Sequence, residues 1–173
     1  MNEMLAHLFK ADDAPAKNVS DAVRISELPT YSPACSNFTA MYRTDTGTMV
    51  LRDVQNRALQ VAKDAKAGVF LIGCGHGKTL ISLLLPAVLS SDNALLVLPA
   101  SLVKKTKREA KEYMKHFNIK MPAIISYEKI SRDINFLTSL APDLIICDEA
   151  HYIKDLSSTR TNRIGRYLYH NLL

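Results

Sequence analysis

Val69-Phe70-Leu71-Ile72-Gly73-Cys74-Gly75-His76-Gly77-Lys78-Thr79-Leu80 runs from a short apolar segment through a glycine-rich turn into a second apolar stretch. Residues 69–72 form an apolar run without alternation, which predicts a strand covered on both faces. Residues 78–90 carry a longer apolar run, which predicts a helix that Pro86 kinks. A glycine-rich turn between a strand and a helix is the setting of a phosphate-binding loop. Gly73, Gly75 and Gly77 let the backbone wrap so that successive N–H groups point inward, and the helix adds its positive N-terminal end. Lys78 then reaches the β and γ phosphates of a nucleotide, and Thr79 ligates magnesium. Gly73, Cys74, Gly75, His76, Gly77, Lys78, Thr79 and Leu80 are the residues expected around the phosphates. The spacing departs from the full eight-residue motif, because Ile72 stands where that motif has its first small residue.

A second motif lies about seventy residues downstream. Pro142-Asp143-Leu144-Ile145-Ile146-Cys147-Asp148-Glu149-Ala150-His151 is an apolar strand that ends in two adjacent carboxylates. In an open α/β sheet the strand ends at the carboxyl edge are where ligands bind, so these carboxylates are expected beside the phosphate loop. Asp148 would hold magnesium through water, and Glu149 would orient and deprotonate an attacking water, since phosphoryl transfer depends on positioning and charge neutralisation. His151 either couples the nucleotide site to a polymer site or caps the loop.

Between and around these motifs the chain alternates. Residues 94–98, 123–126 and 144–147 are further short apolar runs, and helical segments are expected at 78–90, 102–117, 128–140 and 159–172. This β-α-β rhythm predicts an α/β P-loop domain with a mainly parallel sheet flanked by helices. Upstream, Asp53 is placed to cap a helix carrying Val54, Ala58, Val61, Ala62 and Ala65 on one face, with Gly68 as a stop. Asp45-Thr46-Gly47 suggests a small hairpin between residues 37–42 and 48–51. Residues 1–50 read as an extension, broken by Pro15, Pro29 and Pro33 and holding a short apolar cluster at Leu5, Leu8 and Phe9. Residues 51–173 read as the ATP-binding domain.

The 173 residues fit one compact domain, and 47% apolar with 23% charged residues matches an ordinary globular chain. Cys35, Cys74 and Cys147 are odd in number and widely spaced, which points away from a disulfide framework or a zinc site and towards a reducing, intracellular setting, cytoplasmic or nuclear. No apolar run is long enough to span a bilayer and no signal pattern opens the chain, so a soluble, unsecreted protein is expected. The formal charge of +5 permits a polyanionic partner.

With both motifs in place the chain resembles superfamily-two DEAD/DEAH-type helicases, and within them the Swi/Snf-like DNA translocase branch. Gly75 to Thr79 match the looser Gly-x-Gly-Lys-Thr form of the phosphate loop, and Asp148-Glu149-Ala150-His151 the acidic box. Leu51-Arg52-Asp53-Val54-Gln55 is similar to the family's Leu-Arg-x-x-Gln signature, which implies that Gln55 reads adenine while Arg52 helps hold the base. Leu96-Val97-Leu98-Pro99-Ala100-Ser101-Leu102 resembles the strand and loop that touch the nucleic-acid backbone, which implies Ser101 as a contact. Ser126-Tyr127-Glu128 resembles a segment near the tracked strand, so Tyr127 is either a nucleic-acid contact or a buried packing residue. Ala150-His151-Tyr152-Ile153-Lys154-Asp155 is similar to the family's Ala-His-x-Ile-Lys-Asn and is the most specific match.

The resemblance implies the first RecA-like lobe of a nucleic-acid-dependent ATPase using ATP and Mg2+, with DNA favoured over RNA. The chain ends before a Gly-Thr-Pro or Ser-Ala-Thr motif, so a second RecA-like lobe, which in the family supplies an arginine finger, is expected from elsewhere. Without it, turnover is expected to be weak. Lys104, Lys105, Lys107, Arg108, Lys111 and Lys115 crowd one helix; Lys104 and Lys105 are expected as phosphate contacts and the distal cations as a solvated face. The alternative class is a nucleotide- or DNA-binding regulatory module that pairs with another protein and has no motor activity. A small-molecule phosphoryl transferase would need an arginine-rich lid, which the sequence lacks.

Overall fold

The computed structural model describes residues 36–171. The Leu5, Leu8 and Phe9 cluster, Cys35 and the end of the last helix at Leu172 lie outside the described residues. The elements in chain order are α1 (Phe38–Tyr42), α2 (Asp53–Ala65), α3 (Lys78–Val88), β1 (Ala94–Leu98), α4 (Ala100–Tyr113), β2 (Ala123–Ser126), α5 (Tyr127–Arg132), α6 (Phe136–Leu140), β3 (Leu144–Cys147), a 3-10 turn (Ala150–Ile153) and α7 (Thr159–Asn171).

The strands form a parallel sheet in the order β2-β1-β3. Leu96 of β1 faces Ile124 of β2 and Ile146 of β3 across the two ladders. Strand residues alternate between two cores, because successive side chains point to opposite faces. Leu96, Leu98, Ile124 and Ile146 pack with Leu59, Leu80, Leu83 and Leu84 from α2 and α3. Leu95 and Val97 turn the other way onto Tyr127, Ile130, Leu137, Ile164 and Tyr167 from α5, α6 and α7. Every β1 side chain is buried, as a central strand between two helical layers demands. This is the RecA-like P-loop architecture expected from the sequence. Burying each of those aliphatic side chains stabilises the fold by roughly 1.5–3 kcal/mol.

Four local expectations are corrected. Residues 69–72 have no regular secondary structure and join no strand ladder among the described residues. Phe70 and Ile72 pack on the core while Val69 and Leu71 are 83% and 98% exposed, so the run is covered on one side only. The expected hairpin is instead the short helix α1, capped by the Asn37 side chain, which accepts from the Ala40 N–H at 3.1 Å. Burial of Phe38 fixes that helix, and the chain after it is held by Asn118 N–H donating to the Tyr42 carbonyl at 2.7 Å. Arg52, not Asp53, occupies the N-cap position of α2; its N–H donates to Gln55 Oε1 at 2.9 Å. The single helix expected over 128–140 is broken between α5 and α6, where Asp133 accepts from the Asn135 N–H at 3.1 Å. Helix α3 continues past Pro86 to Val88.

Candidate functional site

The loop from Gly73 to Gly77 lies immediately before α3, and its conformation follows from two glycines. Gly75 and Gly77 have φ values of +78° and +73°, a region that side-chain-bearing residues rarely adopt. Gly77 is also the N-cap of α3, and a Cβ there would overlap the Gln55 amide nitrogen. At Gly75 a Cβ would meet nothing within 4 Å, so the loop opens on that side. Gly73, Cys74, Gly75 and His76 are exposed, whereas Gly77, Lys78 and Thr79 are half-buried. Leu80 is 2% exposed, with its side chain in the core, and its N–H donates to the Gly77 carbonyl at 3.1 Å.

The loop carbonyls are held from behind. Arg52 Nη1 donates to the Gly75 carbonyl at 2.8 Å. Gln55 Nε2 donates to the His76 carbonyl at 3.1 Å and lies 3.4 Å from that of Gly77. Because Gln55 Oε1 accepts from the Arg52 N–H, both ends of this buried amide are engaged within the chain. A contact from Gln55 to a base therefore requires an exchange of partners. The arrangement fixes the carbonyls toward α2, as an anion cradle made of backbone N–H groups needs.

Strand β3 delivers the two carboxylates. The Asp148 N–H donates to the Val97 carbonyl at 2.9 Å, extending the ladder to the sheet edge. Glu149 follows in a left-handed conformation with φ +54° and ψ +54°, which costs a non-glycine residue roughly 1–2 kcal/mol and swings it away from the strand direction. Its Oε1 lies 3.7 Å from Lys78 Nζ, and its Oε2 lies 3.4 Å from His151 Nδ1. The first helix residue after the phosphate loop and the last residue of the acidic pair thus meet at one edge of the sheet. Burial pushes Asp148 above the usual carboxylate range; the Glu149 N–H at 3.1 Å and the charge of Lys78 oppose that rise, and the neighbouring Glu149 charge adds to it.

Tyr127 supports this edge together with Tyr152 and Arg160, neither of which the sequence singled out for a role at the site. Tyr127 is fully buried and its hydroxyl donates to the Asp148 carbonyl at 2.7 Å. Its ring stacks on Tyr152, with centroids 5.5 Å apart and planes 2° apart. Arg160 Nε donates to the Tyr152 carbonyl at 2.6 Å, and its guanidinium sits 5.6 Å from the Tyr152 ring centroid. Of the two readings of Tyr127, burial favours packing, since a fully buried side chain is out of reach of a polymer on the surface. Cys147, beneath it, has its thiol pushed up to about 11 by burial, which leaves it protonated at neutral pH. The aromatic residues on either side of the acidic box were the signal available in the sequence.

Ser101 and Lys104 lie exposed in the first turns of α4, directly after β1 reaches the same sheet edge. Lys105 is exposed as well, but it pairs with Glu109 at 3.7 Å. His151 is largely exposed and tilts against Tyr152 at 4.7 Å. Among the described residues no helix is long and apolar enough to cross a membrane, and no group of His, Cys, Asp and Glu forms a self-contained metal cluster.

Among curated proteins none matches the chain. A family model described as type III restriction enzyme, res subunit matches residues 48–172, a span that takes in both the glycine loop and the acidic pair. The chain therefore belongs to the type III restriction enzyme res subunit family, a family of helicase-like ATPases with the RecA-like fold.

Proposed function

We propose that this chain is the first motor lobe of a nucleic-acid-dependent ATPase, a DNA translocase of the Swi/Snf-like kind that hydrolyses ATP when a second RecA-like lobe completes it. The observation that carries the proposal is the meeting of Lys78 and Glu149 at 3.7 Å across the sheet edge. A lysine poised for phosphate and a carboxylate poised for water, brought together from motifs about seventy residues apart, is the arrangement phosphoryl transfer needs. The residues present suit a magnesium nucleotide. The loop has an open side at Gly75, its carbonyls are tied back by Arg52 and Gln55, and Thr79 and Asp148 offer oxygen donors of the hard type that magnesium prefers.

In this reading Lys78 leaves Glu149 to take up charge on the β and γ phosphates, and the N–H groups of the loop cradle the remaining oxygens. Thr79 and Asp148 would hold magnesium, which when bound neutralises charge on the transferring phosphoryl group. Glu149, released from Lys78, accepts a proton at a carboxylate oxygen from the water whose oxygen bonds to the γ phosphorus, as the bond from that phosphorus to the β–γ bridging oxygen breaks and ADP leaves. His151, in contact with both Glu149 and Tyr152, carries the state of the site toward the surface where Ser101 and the start of α4 meet the polymer. Duplex DNA is favoured as that polymer by the likeness of residues 150–155 to the translocase branch. The lobe is taken as residues 51–173, with residues 1–50 as an extension whose α1 packs Phe38 into the core of the lobe.

Glu149→Gln tests the division of labour. Mg-ATP binding is expected to stay within about threefold of wild type, while single-turnover phosphate release falls by at least the roughly hundredfold that general-base contributions commonly provide. Equal turnover in the variant would remove Glu149 from the chemistry and with it the proposal's mechanism.

A further inference from the structure

Helix α4 presents its cations in an order that the sequence alone left open. At about 100° per residue, Lys104, Lys107, Arg108 and Lys111 fall within a roughly 100° arc of the helix surface. The buried face, marked by Thr106 and Ala110, lies on the opposite side. All four cations are exposed, and among the described residues none of them has an ion-pair partner. The acids of the helix are spent on other lysines: Glu109 pairs with Lys105 at 3.7 Å and Glu112 with Lys115 at 2.6 Å. Lys105 and both acids lie to one flank of the arc. The result is a continuous stripe of four cations outside any described ion pair, about two per turn over about 10 Å of helix.

We propose that this stripe extends the nucleic-acid contact zone along α4, from Lys104 near the sheet edge to Lys111, and grips the phosphate backbone of duplex DNA. The inference rests on the reading of the chain as a DNA-dependent motor lobe and adds to it a surface that the motifs do not mark. A regularly spaced linear array of unpaired cations complements a linear polyanion carrying one charge per ≈1.7 Å of axis. No aromatic residue lies on the stripe, since Tyr113 turns toward the core, so there is no platform for stacking unpaired bases. That favours backbone contact with a duplex over capture of a single strand. The assignment replaces Lys105 with Lys107, Arg108 and Lys111 as partners of Lys104.

The test is the salt dependence of binding to a fluorescent duplex, measured by anisotropy between about 50 and 200 mM salt, for the wild-type chain and for the combined Lys104→Gln, Lys107→Gln, Arg108→Gln, Lys111→Gln variant. Each phosphate contact contributes about 0.9 to the slope of log K against log salt, so the variant is expected to lose about 3 to 4 units of slope. A control carrying Arg57→Gln, Lys66→Gln, Lys120→Gln and Arg166→Gln loses the same formal charge off the stripe and is expected to keep the wild-type slope. A slope unchanged in the stripe variant, or lowered equally in the control, would overturn the proposal, as would absence of salt-sensitive binding by the wild type. Mg-ATP binding by the same preparations is read separately: its retention alongside an unchanged slope removes the stripe alone, whereas its absence in wild type removes the motor reading itself. Matching melting temperatures for the three proteins exclude misfolding as the cause of a lost slope.

Discussion

Tyr127 shows how a residue's chemistry is decided by what surrounds it. As part of Ser126-Tyr127-Glu128 it was equally readable as a surface contact or a packing group; the structure buries it and gives its hydroxyl to the Asp148 carbonyl at 2.7 Å. Burial drives its phenol well above the usual tyrosine range, and the neighbouring Cys147 and Asp148 add to that, so it remains a hydrogen-bond donor at any ordinary pH. Tyr127→Phe keeps the stack on Tyr152 and removes only the hydroxyl. It is expected to cost about 1 kcal/mol of stability in a denaturant melt and to leave DNA affinity unchanged. A fall in DNA affinity with unchanged stability would return Tyr127 to the surface role. The meeting of Lys78 with the acidic pair at one sheet edge was legible from sequence because each residue sits at a fixed offset from a glycine turn or a strand end. The partners of Gln55 were not legible: nothing in Leu51-Arg52-Asp53-Val54-Gln55 states that its amide is spent on the carbonyls of residues 21 and 22 positions downstream.

At the scale of elements, β1, β2 and β3 were readable because their runs are short, apolar and covered on both faces. Residues 69–72 share that composition and yet form no ladder among the described residues, since pairing is a tertiary property that an apolar run cannot guarantee. The residues of this run face two environments. Phe70 and Ile72 pack on the core, whereas Val69 and Leu71 stand exposed. Leu71→Ser is therefore expected to shift the stability of the chain by no more than about 0.5 kcal/mol, the scale of surface substitutions. A loss of several kcal/mol in thermal or denaturant unfolding would show that Leu71 is buried in solution and that the segment is covered. The break between α5 and α6 was missed because its signal, an Asp133 side chain turning back on the Asn135 N–H, is a two-residue event inside an otherwise helical apolar pattern. The same distinction applies to α4, whose charges were visible in sequence while their pairing was not.

For the whole molecule, membership of a helicase-like ATPase family and a parallel sheet between two helical layers place the phosphate loop, the acidic pair and the start of α4 at one edge. The account's central claim is that this edge binds a magnesium nucleotide through Lys78. Calorimetric titration of the chain with Mg-ATP, run beside Lys78→Ala, tests it most directly. The account predicts saturable binding by the wild type, weakened at least tenfold in the variant, with both proteins melting at closely similar temperatures because Lys78 is half-exposed and its only ion pair among the described residues is a solvated one. A folded wild-type chain that takes up no nucleotide, or a Lys78→Ala variant that binds it equally well, would contradict the account.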